Sequence, residues 1–358
     1  MIAGMAALVN AVQTNCDIAD ARHARDVSLC TYLLGMREFY RWEHQLPYGV
    51  SPPREEVGRW ISEREARWEL IIDEDFVAVP VAGCEFDPFA AQQVNAALAG
   101  SGLVYGAGVG RFHKPHFFLG QLDREEQRGA ARLLVCGCEY ARDVSAIPAA
   151  SQGATLIVRR EALRQWLWEK AEGWNVKQQD GSLKSALLAY GFDVDPQAAI
   201  ERMTTGEIET LVLHEEGELA AGRVLGGPGD HWSRKLEGFA GKRAELLARA
   251  VRDNLADCLV TLPALLQRDA IDSLHFWFST FDGMRRELFP RLVEAYAARV
   301  GAGALCVPGI PLRGQATAIL ADAVAAGRVH FTELGRRLLD MEEAGIEALS
   351  HEAAAIAL

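Results

Sequence analysis

Apolar residues recur at helical spacing at both ends of this chain, and between Phe76 and about Arg160 they give way to short runs rich in β-branched and aromatic residues. The pattern predicts helices over residues 2–14, Ser28–His44 and Glu55–Ile72. Ser28 is placed to cap the second of these, with Leu29, Tyr32, Leu33, Met36 and Tyr40 turned toward a core. Pro47, Gly49, Pro52 and Pro53 interrupt the pattern before Val57, Trp60, Ile61, Arg64 and Trp68 resume it. Residues 103–108, 116–122, 132–138 and 155–160 read as strands, and 87–98 as a helix packed on their sheet. After Glu161 the helical period returns and stays, through Thr204–Arg223, 244–266, 271–292 and about 315–357, with 301–314 as a linker. The expected fold is α+β and predominantly helical, with a small antiparallel sheet in the N-terminal half and a C-terminal helical bundle. Its expected parts are 1–160, 161–300 and 301–358.

With 358 residues, 49% hydrophobic and 24% charged, the chain is long enough to bury a full core. The net charge of -12 weighs against nucleic acid or an anionic membrane surface as a partner, since both attract clustered Lys and Arg. The first residues lack the positive flank of a secretory signal, and Asn10, Gln13 and Asn15 interrupt their apolar run. No window approaches the apolar length of a membrane span, so a cytoplasmic location is expected. Seven cysteines, an odd number scattered along a large chain, argue for reduced and mostly buried thiols. Cys136 and Cys138 share a strand face on the period-two pattern, but no second Cys or His pair stands at zinc spacing. The amphipathic C-terminal helices suit homo-oligomer formation.

The candidate chemistry lies in Thr204–Arg223, TTGEIETLVLHEEGELAAGR. Thr204 and Glu207 fit a capping box, which predicts that the helix begins there. On a wheel of about 100° per residue, Glu215 falls inside the arc of Ile208, Val212 and Leu219. His214 and Glu218 follow on its shoulder, while Glu209 and Glu216 fall on the far, solvated side. A buried carboxylate is costly unless paired, hydrogen-bonded or bound to a metal, so Glu215 needs a partner. The helix of residues 244–266 offers Asp253 and Asp257 beside apolar positions, with Glu245, Arg249 and Arg252 as its only wet arc. His214, Glu215, Glu218, Asp253 and Asp257 are the candidate ligands of an Fe, Mn or Zn ion, with Glu207 and His231 held second. The same residues serve salt bridges with an arginine equally well, or metal-free proton transfer by His214 and Glu215. Leu274–Phe281 is expected to pack on the helix of Asp253, and Arg285 and Arg286 to hold an anion or line a solvated face.

A second candidate is YGAGVGRFHKPHFFLG, where Gly106, Gly108, Gly110, Arg111 and Lys114 invite a phosphate-binding reading, with His113 beside them. A strand is expected to follow these glycines, so their order is wrong for a dinucleotide fold, and a tight turn is the simpler account. The phrases DARHARD, REFYRWEH, GRFHKPHFFLG, LHEEGE, RAVRDNLADCLVTLP and LHFWFSTFDGMRRELFP resemble those of an uncharacterised family of proteobacterial proteins of similar length and unknown function. The resemblance runs to about Tyr296 and implies no activity or ligand set. The sequence leaves three readings open: a metal-binding helical protein, an oxidoreductase or hydrolase if catalytic; a non-catalytic adaptor or assembly protein; and a nucleotide-binding protein using the Gly106–Gly110 hairpin.

Overall fold

The computed structural model describes residues 4–23, 26–226, 231–304 and 312–358. They form an α+β fold dominated by helices and divide into two compact units. The first holds residues 1–173 and 196–204, the second 174–195 and 205–358.

The first unit opens with α1 (Met5–His23), α2 (Leu29–Glu43) and α3 (Arg54–Ile71), followed by the hairpin β1 (Val79–Val81) and β2 (Cys84–Phe86) and the short α4 (Ala91–Ala97). A five-stranded sheet comes next: β3 (Leu103–Val109), β4 (Pro115–Arg128), β5 (Ala131–Arg142), β6 (Ala149–Gln152) and β7 (Thr155–Arg159), ordered β3-β4-β5-β7-β6. The sheet is largely antiparallel, as expected, with β5 and β7 its one parallel pair. Register shifts along β4 and β5 around Gly120 curl it. A Cβ at Gly120 would collide with Cys136 Sγ, so the close approach at the bend requires glycine.

Helix α1 lies on one sheet face, where Leu8, Val12, Cys16 and Ala19 join Tyr105, Phe117 and Leu119 in one apolar core. Its polar residues are tied down as well: Gln13 exchanges two hydrogen bonds with the Arg142 backbone, and Cys16 Sγ donates to Phe117 O at 3.2 Å. The C-terminal half of α2 and the facing part of α3 carry the aromatic packing, Phe39 against Trp42 and Trp60. Ser28 caps α2 as expected, accepting from Thr31 N. Leu29 and Leu33, however, are 71% and 45% exposed. Helical periodicity marks the inward side of α2 but not how far along it a neighbour reaches; burial starts at Met36. Helix α5 (Arg160–Lys177) closes this part of the chain.

The second unit is helical: α6 (Ser182–Ala189), most of α7 (Pro196–Gly226), α8 (His231–Glu237), α9 (Lys242–Ala256), α10 (Leu262–Gln267), α11 (Ile271–Thr280), α12 (Gly283–Glu287), α13 (Pro290–Ala304), α14 (Leu312–Asp340) and α15 (Glu343–His351). Between α9 and α10 the chain makes a π-helical turn over Asp257–Thr261, and Leu262 N–H reaches back to Asp257 O. Pro263 accounts for the widening, because it lacks an N–H and its ring collides with the carbonyl four residues earlier. One core joins Leu247, Val251 and Leu255 of α9 to Leu274 and Trp277 of α11 and to Leu320, Val324, Phe331 and Leu338 of α14. Ile346 of α15 belongs to the same core. The expected linker 301–314 closes α13 and opens α14, and its residues 305–311 lie outside the described residues.

Among the described cysteines, Cys16, Cys136 and Cys258 are buried, but Cys30, Cys84 and Cys138 are exposed, against the expectation that most would be buried. No described helix is long and apolar enough to cross a membrane.

Helices α7 and α9 meet closely at Gly217, where an added Cβ would lie 2.5 Å from the carbonyl oxygen of Ala256. The obstacle is backbone and cannot rotate away, so Gly217→Ala is expected to cost about 1–3 kcal/mol through overpacking. Urea denaturation of the variant measures it; unchanged stability would show that the helices do not meet there.

Candidate functional site

Helix α7 begins at Pro196, eight residues before the Thr204 start read from the capping box. Proline is well suited to a first helical turn, and the continuous helix turns the capping pair into interior residues. Thr204 is fully buried and its hydroxyl donates back to Ile200 O at 2.7 Å. Glu207 is buried too, accepting hydroxyl hydrogens from Tyr190 and Thr210, both at 2.5 Å, and from Ser273 at 3.1 Å. It therefore belongs to a separate, hydroxyl-lined polar pocket. Glu209 and Glu216, expected on a solvated face, are half-buried, and Glu209 pairs with Arg268 at 3.2 Å.

One turn further on, the close crossing at Gly217 brings α7 and α9 together side chain to side chain. His214 Nδ1 lies 2.9 Å from Asp257 Oδ1, and His214 Nε2 lies 3.6 Å from Glu218 Oε1. Asp257 is 1% exposed and sits at the first position of the π turn. Trp277 Nε1 donates to its Oδ1 at 3.1 Å and Arg285 Nη2 to its Oδ2 at 2.5 Å. The Arg285 guanidinium also lies over the rings of Trp277 and Phe281, so the aromatic run packs on α9 as expected and holds the arginine in place. Arg285 thus serves an internal carboxylate, while Arg286 is exposed.

Arg252 departs from the wheel. Read as part of a wet arc with Glu245 and Arg249, it instead turns inward and donates from Nη2 to Glu218 Oε1 at 2.6 Å and to Asp253 Oδ1 at 3.2 Å. Glu245 is 4% exposed and is held by Arg249 at 2.7 Å. These charges are buried because α9 is packed on several sides, which a single-helix wheel does not register. The only signal that could have found Arg252 is its place beside Asp253, a carboxylate already suspected of burial.

One ligand atom each from His214, Glu218 and Asp253 lies within 4.8 Å of the others, which makes these residues the described group able to converge on an ion. Asp257 stands behind His214 rather than beside it. Glu215 is 5% exposed, and its Oε2 has no hydrogen-bond partner among the described residues. The side chain of His231 lies outside the described residues.

Residues 7–159 match the N-terminal domain, and residues 164–357 the C-terminal domain, of a family described as "Family of unknown function (DUF6866)". The chain belongs to this family. All of the candidate ligands fall within the C-terminal match. No curated protein and no solved structure matches the chain.

The second candidate falls within the N-terminal match. Gly106 and Gly108 lie inside β3, and an added Cβ at Gly106 would overlap the Phe118 ring on β4. Gly110 N–H closes the turn on Lys114 O at 2.8 Å, with Phe112 and His113 at φ 56° and 59°. Strand β4 follows directly, as expected. Lys114 Nζ is held by Asp20 Oδ1 and Ser145 Oγ, each at 2.8 Å, and the Arg111 side chain lies outside the described residues. Cys136 is buried and Cys138 exposed, where the register between β4 and β5 shifts.

The electrostatics of the α7 and α9 cluster are those of crowded, poorly hydrated charges. Burial opposes a charged His214, yet Asp257 and Glu218 outweigh it and hold the ring's pKa well above 6.5. Burial also opposes ionised Asp257 and Glu218, but His214 with Arg285 keeps the first low, and Arg252 with His214 the second. Glu215 goes the other way: burial first, then the adjacent charge of Glu218, raise it from 4.5 to about 8. A carboxyl raised in the folded state stabilises the fold at low pH and progressively loses that contribution as pH rises from 4.5 through 8. His214, also raised, adds a loss of the same sign above 6.5. Glu215→Gln is therefore expected to flatten the decline of urea-unfolding stability between about pH 5 and 8, by an amount on the order of a few kcal/mol. A variant with the same pH slope as the parent protein would contradict this placement of Glu215.

Proposed function

We propose that the second unit binds one divalent metal ion through His214, Glu218 and Asp253, and that the protein is a metal-dependent oxidoreductase or hydrolase. The observation that carries this reading is the convergence of three ligand atoms within 4.8 Å. A nitrogen and two carboxylates suit Fe, Mn or Zn. Three protein ligands also leave coordination positions for water and substrate, the arrangement of catalytic rather than structural sites.

Support comes from the partner of His214. Metal-binding imidazoles commonly donate their second N–H to a carboxylate, which fixes the tautomer and aims the other nitrogen at the ion. Asp257, held by Trp277 and Arg285, meets His214 Nδ1 at 2.9 Å and leaves Nε2 toward Glu218. Glu218 and His214 keep 15% and 24% of their side-chain surface exposed, which gives an ion a way in. With the ion bound, it supplies Lewis-acid activation of water or a coordination site for redox chemistry. His214, Glu218 and Asp253 hold it, and Asp257 orients His214.

A second reading has its own observation. Arg252 bonded to Glu218 and Asp253, and Arg285 bonded to Asp257, already supply positive charge to the cluster, so the network also suits a purely structural role.

Elemental analysis of protein purified without chelator separates the two. The metal reading expects about one Fe, Mn or Zn per chain and a melting temperature raised by added Mn²⁺ or Zn²⁺, with the rise lost in His214→Ala and Glu218→Gln. Metal-free protein whose melting temperature neither ion moves would leave the structural reading.

A further inference from the structure

Any metal held by His214, Glu218 and Asp253, the reading on which this inference rests, meets a cation already among the ligands. Arg252 Nη2 donates to Glu218 Oε1 and to Asp253 Oδ1, oxygens of two of the three candidate ligand residues. The guanidinium competes with a metal there, because it already bonds one oxygen of each carboxylate, Glu218 Oε1 being also the one 3.6 Å from His214 Nε2, and it repels a second positive charge beside it. The guanidinium keeps the two carboxylates, one on α7 and one on α9, facing each other.

The surroundings indicate that the guanidinium can leave. Arg252 keeps 16% of its side chain exposed, so its flexible stem has a route outward. Arg285, by contrast, is clamped by Asp257 and stacked on two aromatic rings. Glu215 gives an independent pointer to a ligand: it is 5% exposed, its Oε2 is unpartnered among the described residues, and it feels the charges of Glu218, His214, Arg252 and Asp253.

We propose that Arg252 is the site's own exchangeable cation, holding Glu218 and Asp253 in register until a divalent ion displaces it, and so setting the affinity for that ion. Exchange makes the site selective as well. A monovalent ion brings no more charge than the guanidinium it displaces and offers less reason for the swap, whereas a divalent ion brings twice as much.

Calorimetric titration of the full chain with Mn²⁺ tests this. Removing the internal competitor in Arg252→Gln is expected to tighten Mn²⁺ binding at least about tenfold, and Arg252→Lys, which keeps the charge with fewer fixed donors, to fall between. Circular dichroism verifies folding, and if Arg252→Gln fails to fold without metal, Arg252→Lys carries the comparison. Mn²⁺ binding that is lost in Glu218→Gln but no tighter in either arginine variant overturns the exchange while sparing the metal site. No Mn²⁺ binding by the parent protein or by folded arginine variants overturns both.

Discussion

Asp257 is the constraint around which the second unit is arranged. A carboxylate that is 1% exposed has lost nearly all its water, and it is tolerated only because an imidazole, an indole N–H and a guanidinium replace that water. Those three donors come from α7, α11 and α12, so satisfying one residue fixes three helices against α9. The π turn that starts at Asp257 is part of the same arrangement, because Pro263 widens the helix where the carboxylate must be presented. The contact of Gly217 with Ala256 brings the backbones near enough for those side chains to meet.

The same device recurs in the first unit. Glu139 is fully enclosed between Arg142 and Arg159, Asp17 is held by Arg64, Asp20 by Lys114, and Asp143 by His116. Glu139, Asp17 and Asp20 each have an arginine or lysine on them, and Asp143 has an imidazole, which shows how readily this chain pairs buried carboxylates for structural ends. What sets the α7 and α9 cluster apart is convergence. Its imidazole and two carboxylates gather within reach of one another, and the adjacent residue on α7, Glu215, is buried with one oxygen unpartnered among the described residues.

Much of this is legible in the sequence. Helical spacing finds most of α2, α3, α7 and α9, and the β-branched runs find β3, β4, β5 and β7. The four-residue step from His214 to Glu218 and the aspartates of α9 point to the right pair of helices. What escapes depends on neighbours that a wheel does not contain. Arg252 looks wet because a wheel assigns one inside and one outside, whereas α9 is packed on several sides. Thr204 looks like a cap because its local pattern is that of one, although α7 has already started at Pro196. The strands β1, β2 and β6 are only three or four residues long, too short to show a period. Asp257 falls among the expected ligands, but its two further donors, Trp277 and Arg285, come from a segment distant in sequence.

The dependence of the cluster on Asp257 is tested most directly by a double-mutant cycle between Asp257→Asn and Arg285→Met, followed by urea denaturation. If the buried carboxylate holds α12 and α9 together through this pair, the two substitutions should be coupled by about 2 kcal/mol, each single change being more damaging than it is in the other's presence. Additive effects, within about 0.5 kcal/mol, would contradict the central role of Asp257.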